Sequence, residues 1–354
     1  MSSNRILHLT TGDKFLPDFI KLVNSEFKSE EHVFLILKTK KIFYIQPYEN
    51  VVFLDEQENF IAKYKVILKE LKKANKVILH GLFNIKLILL LALHFRFLCK
   101  CMWVIWGGDL YVQYGDRSRC TEFFLNFIRR FIIKRLGGVI SFLDDDYEYA
   151  RKKYRAVCPH IKSFVYLSNV FYGKDIDQST ISDGQIKILI GNSATRSNNH
   201  LDAFDLVNAR FKNKDINVYV PLSYGDQKYA EQIVRYGRET FGNSFYPLLD
   251  FFPRQDYEVF QSTIDIAIFN HDRQQALGNT IQLLGMGKKV YLKNSVSQFK
   301  ELENLGVKVF DIELLDNNKI DNQLAVSNNK IIKSYFSEEY LKRQLQEIFD
   351  FSLK

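Results

Sequence analysis

The sequence predicts an α/β protein built from two tandem units, each a parallel sheet with helices on both faces. Three observations point there. Short apolar runs alternate with stretches of helical spacing along the whole chain, as in repeated β-α-β units. The rhythm pauses at a polar connector, residues 173–185 (GKDIDQSTISDGQ), and then restarts. The 354 residues are about twice a typical domain. The expected organisation is a first domain over 1–172, a linker over 173–185, a second domain over 186–330 and a C-terminal helical segment over 331–354.

In the first half, residues 5–10 read as a strand ending in the turn Thr11-Gly12-Asp13, and residues 15–27 have helical spacing. Residues 32–37 and 51–54 are strand-like. Phe60, Ile61, Tyr64, Ile67, Leu68 and Leu71 then mark a helix over 60–74. Residues 76–79 form a strand ending at His80-Gly81, and 85–97 follow as an apolar helix. Residues 101–106 are a buried strand ending at Gly107-Gly108-Asp109. An amphipathic helix over 121–136 leads to a strand over 138–142, and Asp144, Asp145 and Asp146 suit the N-terminus of a helix over 144–154.

The second half is predicted as strand 186–190, helix 198–211, strand 216–220 and helix 226–241. A short helix over 253–263, strand 265–269, helix 275–286, strand 289–292 and an amphipathic helix over 337–349 complete it. In tandem sheets of this kind, ligands bind outside the C-terminal ends of the strands.

Composition narrows the function. The formal net charge is +8, but 28 Lys+Arg face 19 Asp+Glu in residues 1–177, against 21 and 22 in residues 178–354. The excess cation belongs to the first half, in patches such as Arg129-Arg130, Lys134-Arg135 and Arg151-Lys152-Lys153. This suggests an anionic partner (nucleic acid, a phosphorylated substrate or an acidic membrane surface, against whose lipid headgroups these patches would hold the first half), and a Lys-rich solvated surface is the plain alternative. The basic residues are dispersed and no nucleic-acid motif appears, which disfavours a nucleic-acid partner. The four cysteines and seven histidines form no zinc pattern, and reduced cytosolic thiols are expected. No signal peptide is evident, and Lys86, His94 and Arg96 interrupt the most apolar stretch, residues 85–98, which is too short to span a bilayer.

Chemistry is expected at the polar loops that follow buried strands. In W-G-G-D the glycines let backbone approach a ligand, and Asp109 either takes a proton from a hydroxyl as general base or caps a tight turn. His80 is a second base candidate or a hydrogen-bonded turn histidine. In G-N-S-A-T-R-S-N-N-H, small polar residues and Arg196 open a helix and suit a phosphate; a plain cap by Ser197 or Asn198 is the alternative. In H-D-R-Q-Q-A-L-G-N-T, Arg273 and the following helix turn suit a diphosphate. Walker A, G-x-G-x-x-G and G-x-S-x-G spacings are missing, as is a metal-ligand cluster, so a metal-independent reaction without a cofactor is the working expectation.

The stretches H-G-L-F-N (80–84), I-W-G-G-D-L-Y (105–111), I-L-I-G-N-S-A-T-R-S-N-N-H (188–200), V-Y-V-P-L-S-Y (218–224) and R-Q-Q-A-L-G (273–278) occur in this order. Together they resemble glycosyltransferase family 56, over about residues 5–345. The resemblance implies a GT-B fold: two Rossmann-like domains facing across a cleft, with the C-terminal helix packing back on the first. It implies an inverting, metal-independent transfer from a dTDP-linked deoxyamino sugar, 4-acetamido-4,6-dideoxygalactose or a relative. The implied acceptor is a polyprenyl-diphosphate-linked oligosaccharide of common antigen or O-antigen synthesis, on the cytoplasmic face of the inner membrane.

In this reading Asp109 and His80 are catalytic. The donor is expected at Gly191, Asn192, Ser193, Arg196, Asn198, Tyr224, Arg273, Gln274, Gln275, Gly278, Asn279 and Thr280. The acceptor is expected at Gly12, Asp13, Asn84, Trp106, Gly107, Gly108 and Tyr111. GDP- or UDP-sugar donors, GDP-fucose above all, are the alternative. An inactive, membrane-associated sugar-binding scaffold is a further one.

Overall fold

The structure is a computed structural model that describes residues 4–37, 45–54, 59–111, 119–176, 185–212 and 214–353. It comprises two compact units, Met1–Ser168 with Leu341–Lys354, and Asn169–Tyr340.

The first unit runs β1 (Ile6–Thr11), α1 (Leu16–Glu26), β2 (His32–Leu37), β3 (Val51–Leu54), α2 (Phe60–Lys73), β4 (Lys76–His80) and α3 (Ile85–Leu93). It continues with β5 (Cys101–Val104), α4 (Arg119–Ile133), β6 (Gly138–Ser141), α5 (Asp144–Tyr154) and β7 (His160–Lys162). The strands form one sheet in the order β3-β2-β1-β4-β5-β6-β7, with every neighbouring pair parallel. Strands β4, β5 and β6 are buried along their whole length, which is why they read as unbroken apolar runs rather than alternating ones.

The second unit holds β8 (Ile186–Ile190), α6 (His200–Arg210), β9 (Ile216–Pro221), α7 (Gln227–Phe241), β10 (Phe245–Leu248), α8 (Arg254–Ser262) and β11 (Ile266–Phe269). Then come α9 (Leu277–Gly285), β12 (Lys289–Leu292), α10 (Ser297–Asn304), β13 (Phe310–Asp311) and α11 (Asn322–Tyr335). Its sheet order is β10-β9-β8-β11-β12-β13, again all parallel. Both sheets thus have the doubly wound order, which reverses between β1 and β4 and between β8 and β11.

The last helix, α12 (Glu338–Asp350), belongs to the first unit from Leu341 onward. Lys76 Nζ donates to the carbonyls of Ile348 and Phe349 at 2.9 and 2.6 Å, a cation at a helix C-terminus, and the Phe349 ring lies 4.5 Å from that of His32.

The structure corrects several predicted boundaries. The helix expected over 85–97 ends at Leu93, and a 3-10 segment, Phe95–Lys100, carries the chain into β5. The helix expected from residue 198 begins at His200, because Asn199 has φ of +48° after a 3-10 turn, Arg196–Asn198. The helix expected from Gln275 begins at Leu277, because Ala276 has φ of +58°. The strands β7, β10 and β13 and the helices α10 and α11 were not predicted. Residues 177–184 of the expected linker lie outside the described residues.

Candidate active site at the two switch points

In the first unit the switch-point loops carry Gly12-Asp13 after β1 and Gly81 after β4. Asp13 accepts the Phe15 N–H at 2.8 Å through Oδ1, and a second amide, that of Leu16, also favours its charged form. Burial nevertheless raises its pKa to about 6, against the opposing pull of those amides and Lys14. That is a value at which a carboxylate both accepts and releases protons near neutrality. Gly12, beside it, is half-buried.

Asp109 has a different environment. It is fully buried, and three donors occupy it: Leu82 N–H at 2.8 Å and Trp103 Nε1 at 2.7 Å on Oδ2, and Trp106 N–H at 2.9 Å on Oδ1. Burial raises its pKa, and these donors together with Arg129 oppose the rise. Arg129, a surface cation on the sequence pattern, is 4% exposed and donates to the carbonyls of Asp109 and Leu82. Asp109 and Arg129 therefore lock the β4 and β5 loops to each other, holding Gly107, Gly108 and Trp106 in place. Gly107 has φ of +73°, while Gly108 is exposed.

His80 is also buried, and it belongs to a chain of imidazoles. Its Nδ1 lies 2.6 Å from the Tyr166 hydroxyl and its Nε2 lies 3.0 Å from His8 Nδ1; His8 Nε2 lies 2.9 Å from His32 Nδ1. The Cα register pairs His8 with Ile78 and with Phe34, so the three histidines run diagonally across one face of β4, β1 and β2. Burial lowers all three pKa values, to about 3 for His80 and about 4 for His32. Neutral imidazoles with one donor and one acceptor each satisfy such a chain. Its end, the Tyr166 hydroxyl, accepts from Trp106 Nε1 at 3.0 Å. The other expected acceptor contacts are held by their own elements. Asn84 caps α3 by accepting from the N–H groups of Lys86 and Leu87, and the Tyr111 hydroxyl donates to Asp146 at 2.8 Å.

In the second unit, the loop after β8 and the loop after β11 are tied together. Gln275 Nε2 donates to Asn192 Oδ1 at 2.9 Å and to Thr195 Oγ1 at 3.1 Å, and its Oε1 accepts from Ser197 Oγ at 2.7 Å. Asn192 Nδ2 donates to the Tyr224 hydroxyl at 3.0 Å. Buried Asn198 is the inner knot: its Oδ1 accepts from Asn192 N–H and His271 Nε2, and its Nδ2 donates to the carbonyl and hydroxyl of Ser193. Gly191 has φ of +69°, and a Cβ there would come within 2.6 Å of His200 Nε2 and 2.9 Å of Asn198 Oδ1. A side chain at this position is therefore excluded twice over.

Arg196 is exposed, with its guanidinium 5.1 Å above the Tyr229 ring, and half-buried Arg273 donates to the Gln274 carbonyl at 3.3 Å. Gly278 and Asn279 are half-buried in the first turn of α9, whose leading N–H groups lack partners within the helix. Asn279 donates to the Tyr257 hydroxyl at 3.4 Å. Thr280 is fully buried and donates back to the Ala276 carbonyl at 3.1 Å. The two joined loops thus carry Arg196, Arg273 and several amide groups and lead into a helix N-terminus beside a switch point, an arrangement suited to a diphosphate.

A family model described as 4-alpha-L-fucosyltransferase, glycosyl transferase group 56, matches residues 5–350. The chain belongs to glycosyltransferase family 56. Among solved structures, this family 56 enzyme is similar to a glycosyltransferase from Rickettsia africae, with 14% identity, 98% of each chain covered and a TM-score of 0.63. It is similar to WaaG, a glycosyltransferase involved in lipopolysaccharide biosynthesis, at 11% identity, with 98% of this chain and 100% of that one covered and a TM-score of 0.62. HepE of Anabaena, solved with UDP and glucose, matches at 12% identity, over 97% of this chain and 98% of that one, with a TM-score of 0.63. The family 56 enzyme thus has the GT-B fold.

Sequence reasoning missed His8, Tyr166, Arg129 and the inner role of Asn198. His8 sits inside an apolar strand run, and Arg129 inside an amphipathic helix, where only the buried face distinguishes it from Arg130. Tyr166 lies in a stretch without periodicity. Among the described residues of the enzyme no helix is long and apolar enough to cross a membrane, and no group of three or more His, Cys, Asp or Glu residues is placed to hold a metal ion.

Proposed function

We propose that this glycosyltransferase moves a 6-deoxyhexose of the fucose type, 4-acetamido-4,6-dideoxygalactose or a relative, from a dTDP-sugar to a polyprenyl-diphosphate-linked oligosaccharide. The reaction inverts the anomeric centre. The observation that carries this reading is the joining of the second unit's two loops through Gln275, with Arg196 in one loop, Arg273 in the other and the α9 N-terminus directly after, which suits a nucleotide diphosphate. HepE, similar in fold, binds UDP and glucose, and WaaG acts in lipopolysaccharide biosynthesis. The first supports a nucleotide-sugar donor and the second a cell-surface glycan product; the cytoplasmic face of the inner membrane is the place this reading gives the reaction.

The acceptor hydroxyl attacks the anomeric carbon. The new C–O bond forms as the bond to the diphosphate oxygen breaks, and the hydroxyl proton passes to a carboxylate. Asp13 is the better base: it is half-buried and has a pKa near 6 despite the Phe15 and Leu16 amides, whereas three donors already occupy fully buried Asp109. Asp109 then acts through the loop it anchors. The negative charge left on the diphosphate is stabilised by Arg196, Arg273 and the α9 N–H groups. Asn192, Ser193, Gln274 and Asn279 hold sugar or phosphate oxygens, and Tyr224 flanks the nucleotide.

A second reading takes GDP-fucose as the donor, favoured by the fucosyltransferase description of the family. Thermal shift with a panel of dTDP-, GDP- and UDP-sugars, followed by a transfer assay, separates the readings. Stabilisation and transfer with a dTDP-deoxyamino sugar alone supports the first, and with GDP-fucose alone the second. Binding without turnover on a lipid-linked acceptor would leave an inactive scaffold.

A further inference from the structure

The outer surface of α3 and α4 carries a patch that the transfer chemistry does not use. Phe123, Phe124 and Phe127 are 75%, 56% and 61% exposed on α4. Phe127 stands four residues after Phe123 and three after Phe124, so it neighbours both on the helix surface. Leu93, 73% exposed, and the exposed Phe95 stand on the neighbouring segment, and the Phe95 and Phe131 rings, 6.1 Å apart, join the two. Apolar side chains concentrated in this way mark an interaction surface.

Its rim is cationic. Lys86, Arg96, Lys134 and Arg135 are exposed around it, and Arg135 lies 3.8 Å above the Phe131 ring. Within residues 85–100 and 119–135 the one acidic residue is Glu122. A second copy of the chain would set these cations against their own counterparts, whereas anionic lipid headgroups complement them. An aromatic face with Lys and Arg at its border is the signature of a helix lying in a membrane interface. The inner face of the same helix carries Arg129, which clamps the loops of Asp109 and Leu82. One helix thus joins this face to the loops of the first unit's switch point.

We infer that the α3–α4 face docks on an anionic bilayer, with Phe123, Phe124 and Phe127 entering the headgroup boundary and the basic rim contacting lipid phosphates. The purpose of this docking rests on the lipid-linked acceptor proposed above, but its test contains no sugar, so the two stand or fall separately. The full chain is floated with phosphatidylglycerol vesicles and with phosphatidylcholine vesicles.

Binding is expected to phosphatidylglycerol and to weaken with salt. The combined Phe123→Ser, Phe124→Ser, Phe127→Ser variant is expected to bind at least about 100-fold more weakly, since three aromatic side chains lose their apolar burial. Lys134→Gln with Arg135→Gln is expected to weaken binding about 30-fold, at roughly 1 kcal/mol per cation. In a separate Phe124→Trp variant the indole fluorescence should shift to the blue on phosphatidylglycerol, while transfer to a soluble acceptor stays unchanged. Undiminished vesicle binding by the triple-Ser variant would overturn the inference. So would the absence of any blue shift, or a concentration-dependent doubling of mass that the triple-Ser variant abolishes.

Discussion

Asp13 and Asp109 are both carboxylates at strand ends of one sheet, and the proposed reaction gives them different tasks because their surroundings differ. Asp13→Asn is expected to lower kcat by about 10²–10⁴-fold, the usual worth of a general base, with the melting temperature little changed. In the parent enzyme a base with pKa near 6 must be deprotonated, so kcat/KM should rise with pH through about 6 and then level. Asp109→Asn places an NH₂ among three donors. Melting temperature and activity should then fall together, at a cost of about 1–3 kcal/mol for the mismatched buried groups. If the Asp13→Asn variant instead keeps near-normal kcat and the parent's pH profile, the base lies elsewhere. The histidine chain makes a related prediction. His8→Phe leaves His80 Nε2 and His32 Nδ1 without their mutual partner, lowering stability by about 1–3 kcal/mol. It also loosens Tyr166 and Trp106, so KM for the acceptor should rise while KM for the donor holds.

At the scale of elements, the loops proposed to bind the donor depend on backbone that only certain residues tolerate. Gly191→Ala brings a methyl against His200 and Asn198 at a positive φ, so donor binding and thermal stability should both drop, the latter by about 1–3 kcal/mol. A titration showing unchanged donor affinity for this variant would contradict the loop's role. Most elements were legible in the sequence, because buried parallel strands such as β4 and β5 are unbroken apolar runs and helices such as α2 keep a clean 3.6-residue period.

The unpredicted elements lack those signals. β7 and β13 are only three and two residues long, and β10 (FYPL) carries a proline at the sheet edge. The first turns of α6 and α9 were each misplaced by two residues because Asn199 and Ala276, neither of them glycine, take left-handed backbone. The candidate loops were legible as polar residues directly after strands. Which carboxylate is sealed was not, because that depends on Trp103, Leu82 and Arg129 arriving from three separate segments.

Across the whole molecule, the charge of +8 resolves into a basic first half and a nearly neutral second half. Some of that basic charge is internal. Arg129 locks loops and Lys76 holds the end of α12, while Lys134 and Arg135 remain at the surface beside exposed aromatics. The proposed reaction draws on both units. It takes a carboxylate of raised pKa from the first, and cations and a helix N-terminus for a leaving diphosphate from the second. The claim joining them is direct displacement at the anomeric carbon. It is tested most directly by NMR of the product formed from the nucleotide-deoxyhexose and a lipid-diphosphate-linked acceptor. An anomeric coupling that reports the configuration opposite to the donor's is the predicted result; a product that retains the donor configuration would contradict the account.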